Sequence, residues 1–354
     1  MGLTDNLINA ELNNILILSP NLKQRLSGVT TTVLRLTPVI AKKMQISVTG
    51  PAPLEDLPYI PLWKIPFLSR THFRVWHARR NNEMILGLIL RGIFRLKVKL
   101  LFTSAAQRDH KPFTKKLIAK MDEVIATSPQ AATYLQRPAE VVMHGINCQL
   151  FKPAANPMEL RQSLNLPEGL LIGCFGRIRH QKGQDLLIEA AARLLPTRPN
   201  IHIVFCGRTT PENQTYQDDL INKLKVVGLS DRVTFLGELH WHQVVQLYQS
   251  LDIFVAPARW EGFGLTPLEA MACGVPVIAG KDVGTFSEQI IHGETGMLCE
   301  KDNVQAMTFA LQTLLDDPKR LTQLGKNARA HVKQHFSIER EAQALINIYK
   351  RLLS

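Results

Sequence analysis

Glu261 and Glu269 stand eight residues apart in the stretch RWEGFGLTPLEAMACGVPVIA, residues 259–279. Gly262, Gly264 and Pro267 lie between them. A strand-like run, DIFVAP, precedes the pair, and a helical pattern, TPLEAMAC, contains the second member. Thr266 suits a helix N-cap, Pro267 the first helical position and Glu269 the third. That is a capping box, and it accounts for Glu269 in purely structural terms. The same geometry could do chemistry. N–H groups at Gly264, Leu265 and the helix start, set at the carboxyl end of a strand, favour a phosphate. Spacing alone leaves both readings open.

A second stretch, GCFGRIRHQKG (residues 173–183), places Arg177, Arg179 and Lys182 within six positions after a strand-like run. A basic loop is often just a solvated face. Its position argues for more, because it follows a strand in the same half of the chain as the glutamates, so both loops should open on one sheet edge. Cations there would neutralise a diphosphate, Arg as a bidentate fork and Lys as a point charge.

These loops need strands and helices to hold them. NILILSP, QISVTG, LKVKLLFTS, EVIATS and EVVMHG read as strands of the first half; LLIGCFG, NIHIVFCG, RVTFLG, DIFVAP and VPVIAG read as strands of the second. Helical patterns such as QDLLIEAAARLL separate them. Apolar strands alternating with helices imply parallel sheets covered on both faces. The Pro- and Asn-rich run 147–169 is a linker candidate. The expected fold class is α/β, with two doubly wound Rossmann-like domains and a cleft between them. The expected boundaries are 1–150, 151–336 and a C-terminal helix, 337–354, packing back toward the first domain.

Net charge is +12, and it is unevenly spread. Residues 1–150 carry 20 Lys or Arg against 9 Asp or Glu, whereas the remainder is nearly balanced. A basic half can serve nucleic acid, an anionic membrane or an acidic substrate. The stretch ILGLILRGIFRLKVKLL, with Arg91, Arg95, Lys97 and Lys99, could lie on an anionic leaflet, helped by Arg79 and Arg80. Its apolar part reads rather as a core helix followed by a core strand, with the basic residues as flanks. The five cysteines show no CxxC spacing and read as buried thiols of a reducing compartment. Asp5 and Glu11 argue against a signal peptide, and Asn6 breaks the myristoylation pattern. The longest apolar run, MILGLIL, is too short to span a bilayer. A cytoplasmic protein, soluble or peripheral at the inner face of the cell membrane, is expected.

The motifs carry a resemblance. EGFGLTPLEAMACGVPVIA resembles the E-x7-E signature of retaining nucleotide-sugar glycosyltransferases, glycosyltransferase family four, and GRIRHQKG is similar to that family's G-R-x-x-x-x-K-G loop. DRVTFLGEL and LYQSLDIFVAPARWEGFG match the run into the signature; HGIN (144–147) resembles an N-G-V-D element with its first and last residues changed. LSGVTTTV stands where the family has a double-glycine loop, with only Gly28 present. VWHARRNNEM most resembles mannosyltransferases of lipopolysaccharide core assembly.

The resemblance implies a GT-B fold and transfer with retention of configuration. It implies that Arg177 and Lys182 hold the donor diphosphate and stabilise it as leaving group. Glu269 would bind ribose, and Glu261 would position the sugar hydroxyls. Phe263, Gly264 and Leu265 would offer backbone N–H groups, Gly28 would contact the donor, and His77 would face the donor sugar. The glutamates are then no acid/base pair of the glycosidase kind. The implied partners are a nucleotide-sugar donor, GDP-mannose for this subfamily, an anionic glycolipid acceptor of lipopolysaccharide core type, and an anionic membrane. No D-x-D element or His/Cys cluster has metal spacing, so no essential metal and no cofactor is expected.

Other readings are weaker on residues. A dinucleotide oxidoreductase needs G-x-G-x-x-G after its first strand, and NLKQRLSGV stands there instead. A nucleic-acid binder lacks interleaved aromatics, which make up only 6% of the chain. A UDP-sugar transferase acting on another glycolipid or polysaccharide, and a GT-B phosphorylase or epimerase, share the architecture.

Overall fold

The structure is a computed structural model that describes residues 14–23, 28–54 and 56–354. The expectations drawn from Asp5, Asn6 and Glu11, and from Leu26 and Ser27, lie outside the described residues. The chain forms two compact units, Met1–His144 with Ile338–Ser354, and Gly145–Ser337.

The first unit holds six parallel strands: β1 (Ile17–Pro20), β2 (Ile46–Thr49), β3 (Arg74–Ala78), β4 (Val98–Ser104), β5 (Glu123–Ala126) and β6 (Glu140–Val141). Their order is β2-β1-β3-β4-β5-β6. Strand direction in the sheet order reverses its progression between β1 and β3, which makes a switch point there. Five of these strands match runs legible in the sequence. β3 does not, because RVWHA mixes charged and apolar residues. All five residues are nevertheless buried. Arg74 is tolerated inside because its Nε donates to the Ile15 carbonyl at 2.9 Å and its Nη1 to the Ser69 carbonyl at 2.6 Å.

The second unit holds β7 (Leu170–Phe175), β8 (Ile201–Cys206), β9 (Val233–Phe235), β10 (Ile253–Ala256), β11 (Val277–Gly280) and β12 (Gly296–Cys299), again parallel. The order is β12-β11-β10-β7-β8-β9. Its switch point lies between β7 and β10, which pair through Ile172 with Ile253 and Gly173 with Phe254. The run 147–169, read as a linker, contains the helix Pro157–Ser163. Asn156 caps it by accepting from the N–H groups of Met158 and Glu159. Arg161 then pins it to the second sheet through Asp252 at 2.7 Å and the Ser250 carbonyl at 2.7 Å.

The helix Ile338–Leu353 returns to the first unit. Ile338, Ala342, Leu345, Ile346 and Tyr349 recur at helical spacing and pack on Ile17, Val75 and Leu101 of the sheet. Glu341, buried on the same face, meets His144 Nδ1 at 2.7 Å. All five cysteines are buried. Burial pushes the Cys174 thiol up to about 12, so it is an inert core group at neutral pH.

The tail helix therefore belongs to the first unit's core. Leu345→Ala is expected to destabilise that unit by about 2–5 kcal/mol, the usual cost of a buried leucine cavity. Urea denaturation followed by circular dichroism measures it; an unchanged midpoint would show that the helix is a dispensable appendage.

Candidate active site

Two loops leave neighbouring strands at the switch point of the second sheet. One runs from Gly176 to Gly183 after β7, the other from Pro257 to Leu265 after β10. Ligands of doubly wound sheets sit at such a place, outside the carboxyl ends of the strands. Backbone contact fixes the loops together. Gly183 has φ 73°, and a Cβ there would lie 2.0 Å from the Pro257 carbonyl oxygen. Gly207 closes the other side, since a Cβ on it would lie 2.1 Å from the Gly176 carbonyl oxygen. Only glycine permits these approaches.

Side chains complete the join. The Arg259 guanidinium forks onto Asp185, with Nη1 and Nη2 at 2.9 and 2.7 Å from its two oxygens. It also donates to Asp302 at 2.8 Å and to the His180 carbonyl at 2.7 Å. The bidentate pair sets both distance and angle between the loops. These contacts hold the Arg259 pKa above its ordinary value, chiefly through the hydrogen bond to Asp185. The Arg259 N–H donates to the Gln181 carbonyl at 2.9 Å, and Gln181 Nε2 to the Trp260 carbonyl at 2.9 Å.

This places the charged residues side by side. Lys182 Nζ forms an ion pair with Glu261 Oε2, both side chains being mostly buried, at 17% and 18% exposure. The Lys182 chain also runs across Gly176, whose φ is 136°. Glu261 Oε1 accepts from the Gly262 N–H at 3.2 Å. Arg177 and Arg179 share the same field. Burial first, and then repulsion from Arg177, lowers the Arg179 pKa, while Glu261 opposes the shift. The Arg179 Nε is buried without a hydrogen-bond partner among the described residues. Lys182 and Arg179 thus both feel the Glu261 carboxylate, Arg177 adds a third cation beside Arg179, and the excess is positive. A surplus of this kind in a partly dry site suits a diphosphate.

The second glutamate is held differently from the expectation. The helix runs Thr266–Ala272, its N-cap is Leu265 in a helical conformation, and no side chain caps it. No capping box forms, because the helix starts one residue early and the Glu269 carboxylate turns to another partner. Tyr248 donates its hydroxyl to Glu269 Oε2 at 2.8 Å. Burial, and next the Glu269 charge, raise the Tyr248 pKa well above its ordinary value, so it stays a donor. A carboxylate accepts several hydrogen bonds, and a ligand hydroxyl can share it.

Phe263 and Gly264 are fixed from beneath by two buried residues. Thr285 Oγ1 donates to the Phe263 carbonyl at 2.7 Å, and Gln289 Nε2 to the Gly264 carbonyl at 2.9 Å. With both carbonyls engaged inside the unit, the loop's path into the helix at Leu265 is set. Gly264 needs its φ of 82° to make that turn. Asp185, Arg259, Tyr248, Thr285 and Gln289 all escaped the sequence reading. Arg259 and Asp185 could have been sought as an oppositely charged pair; the other three carry no local signal.

Arg177, Lys182, Glu261, Phe263, Gly264, Leu265 and Glu269 therefore gather in the second unit. Gly28 and His77 belong to the first. Gly28 opens the helix Gly28–Ala41, with open space where a Cβ would stand. His77, expected to face a donor sugar, stands near the carboxyl end of β3. It is 1% exposed, Nδ1 lies 2.7 Å from the Tyr349 hydroxyl, and Nε2 lies 2.6 Å from Thr103 Oγ1. Burial, with Arg79 nearby, drives its pKa well below the ordinary value, so the ring is neutral. Both nitrogens are engaged inside the first unit. Among the described residues, no cluster of His, Cys, Asp or Glu could hold a metal ion.

Comparison with known proteins follows the same lines. The model of the glycosyl transferases group 1 matches residues 156–331. The chain is 44% identical to the lipopolysaccharide core biosynthesis mannosyltransferase LpsB of Rhizobium meliloti, across 97% of this chain and 99% of that protein. It is 43% identical to the lipopolysaccharide core biosynthesis mannosyltransferase LpcC of Rhizobium leguminosarum, across 97% and 98%. Among solved structures, Anabaena HepE in complex with UDP superposes with a TM-score of 0.83 at 22% identity, covering 95% of this chain and all of that one.

The glycine contacts give a stability test. Gly183→Ala must adopt a left-handed backbone and push Pro257 away, so a loss of at least about 1–3 kcal/mol is expected. Gly28→Ala, with open space around it, should change stability by less than about 1 kcal/mol. Thermal unfolding of the two variants compares them; equal midpoints would refute the loop contact.

Proposed function

From a chain that belongs to the group 1 glycosyl transferases, with the GT-B fold of two Rossmann-like units, we propose a retaining transferase that moves mannose from GDP-mannose to a lipopolysaccharide core acceptor. The Lys182–Glu261 ion pair, joining two loops at one switch point, carries the reaction class. The two full-length relatives named as core mannosyltransferases support the choice of sugar and acceptor.

The chemistry follows from the charges. Breaking the bond between the sugar carbon and the diphosphate oxygen leaves negative charge on the diphosphate. Arg177 and Lys182 bind it and stabilise that charge as it grows, with Arg179 adding to the field. This neutralisation needs no divalent ion. Glu261, held by Lys182 and the Gly262 N–H, accepts hydrogen bonds from the sugar hydroxyls. The N–H groups of Phe263, Gly264 and Leu265 meet the sugar and the distal phosphate at the start of an uncapped helix. Glu269 takes the ribose hydroxyls beside Tyr248. The first unit receives the acceptor, an anionic glycolipid at the inner face of the cell membrane. Its basic composition concentrates the enzyme there.

Arg177→Ala and Lys182→Ala are each expected to lower kcat by about 10²–10³-fold, the usual effect of losing one donor to a developing charge. Near-normal turnover in both would remove the assigned roles. Incubation with GDP-mannose and a core acceptor should give an α-linked mannoside by proton NMR, with full activity in EDTA. A β-linked product would contradict retention, and exclusive use of a UDP-sugar would replace the donor.

A further inference from the structure

From Leu57 to Arg108 the chain carries ten Lys or Arg and a single acid, Glu83. Glu83 is fully buried and paired with Arg80 at 2.8 Å. Several of the bases are already engaged by protein groups. Arg91 donates to Asp122 at 2.8 Å and to the Lys120 carbonyl at 3.0 Å. Arg79 donates to Ser19 Oγ at 3.0 Å. Apart from Arg108, which is exposed beyond the carboxyl end of β4, the charge that remains outward belongs to Lys64, Arg70, Arg95, Lys97 and Lys99.

Those residues surround exposed apolar side chains. Trp63, Phe67 and Ile93 are 68%, 79% and 74% exposed, and Phe73 and Phe94 are exposed beside them. They come from two segments, the 3-10 turn Leu62–Phe67 with the following loop, and the end of the helix Asn81–Gly92. Arg70 ties these segments together by donating to the Phe94 carbonyl at 3.0 Å and the Pro66 carbonyl at 3.3 Å. Lys97 and Lys99 reach over the Phe73 ring at 5.8 and 5.1 Å, and Lys64 over Trp63 at 5.3 Å. A folded domain does not ordinarily leave so many large apolar groups in water on one face.

We propose that this face is a membrane-docking surface, whose Trp63, Phe67, Ile93 and Phe94 enter the headgroup region of an anionic bilayer while the lysines and arginines meet its phosphates. Rings and aliphatic tips flanked by bases suit the boundary between headgroups and acyl chains. Charge selects the occupant. A second copy of the chain would set one basic face against another, whereas anionic lipid complements it. Placement selects the acceptor class, on the proposed function above. The face adjoins the amino ends of β3 and β4, so the carboxyl edge of that sheet stands off by roughly 20 Å of strand. An acceptor whose reacting sugar projects well beyond its lipid spans such a gap; a bare lipid headgroup does not.

The test sediments the full chain with phosphatidylcholine vesicles made with and without phosphatidylglycerol. Binding should require phosphatidylglycerol, and a fraction should persist at about 1 M salt, where the screening length falls to about 3 Å. Trp63→Ser with Phe67→Ser should remove that salt-resistant fraction and weaken partitioning at least about tenfold. Lys97→Ser with Lys99→Ser should weaken the low-salt binding. Both variants should turn over GDP-mannose on a water-soluble, deacylated core acceptor like the wild type. If Trp63→Ser with Phe67→Ser sediments as the wild type does, the surface is overturned. A wild-type dimer that this variant breaks, without vesicle binding, would overturn it in favour of a second copy. Vesicle binding that follows the pattern, in a protein inert toward GDP-mannose and the soluble acceptor, would uphold the surface and overturn the proposed donor.

Discussion

Gly183 lies so close to Pro257 that no side chain fits between them. That backbone contact brings the loop after β7 against the loop after β10, and the candidate site depends on it. Separate the loops, and Lys182 cannot reach Glu261, nor Arg259 reach Asp185. The contact works because the two strands are neighbours at the switch point while their following chains diverge. Glycine supplies the left-handed turn; the Arg259 fork fixes the angle. Neither would be enough alone, since a glycine hinge is loose and a surface ion pair contributes little by itself.

The electrostatics of the site follow from that contact. Arg259 is used internally, against Asp185 and Asp302, so its charge steadies the loops. Lys182 is shared with Glu261, while Arg177 is exposed and Arg179 has a buried Nε with no partner among the described residues. A diphosphate would meet Lys182 already held in place by Glu261. Preorganisation of this kind is what makes charge stabilisation effective as a bond breaks, because little reorientation remains to be done. The same logic applies to Glu269, whose position Tyr248 fixes from the protein side.

The first unit shows a different economy of charge. Among the described residues, Arg74 is answered by carbonyls and Arg80 by Glu83. His77 is held between Tyr349 and Thr103, and Tyr349 arrives on a helix more than 250 residues later in the chain. Around Trp63 and Phe67 the bases stay on the outside, beside exposed rings. A basic sequence therefore does not report a basic surface directly. The inward bases must first be subtracted, and the structure makes that subtraction.

Sequence alone determined the alternation of strands and helices, because apolar runs of strand length and amphipathic helical spacing are local patterns. It also determined the two chemistry-bearing loops, since glycine, proline and closely spaced charges mark a turn wherever the chain places them. The family resemblance rested on those same residues. β3 escaped because its charged residues are buried only with the help of distant carbonyls. The Glu269 capping box failed for a similar reason. Thr266 and Glu269 have the right spacing, but Tyr248 competes for the carboxylate and the helix begins one residue earlier. Tertiary structure decided which of the bases turn inward, which carboxylate meets which cation, and that His77 meets Tyr349. Each of these is a contact between residues far apart in the chain, and neither composition nor periodicity encodes such distances. They exist only once the sheets have set their strands side by side.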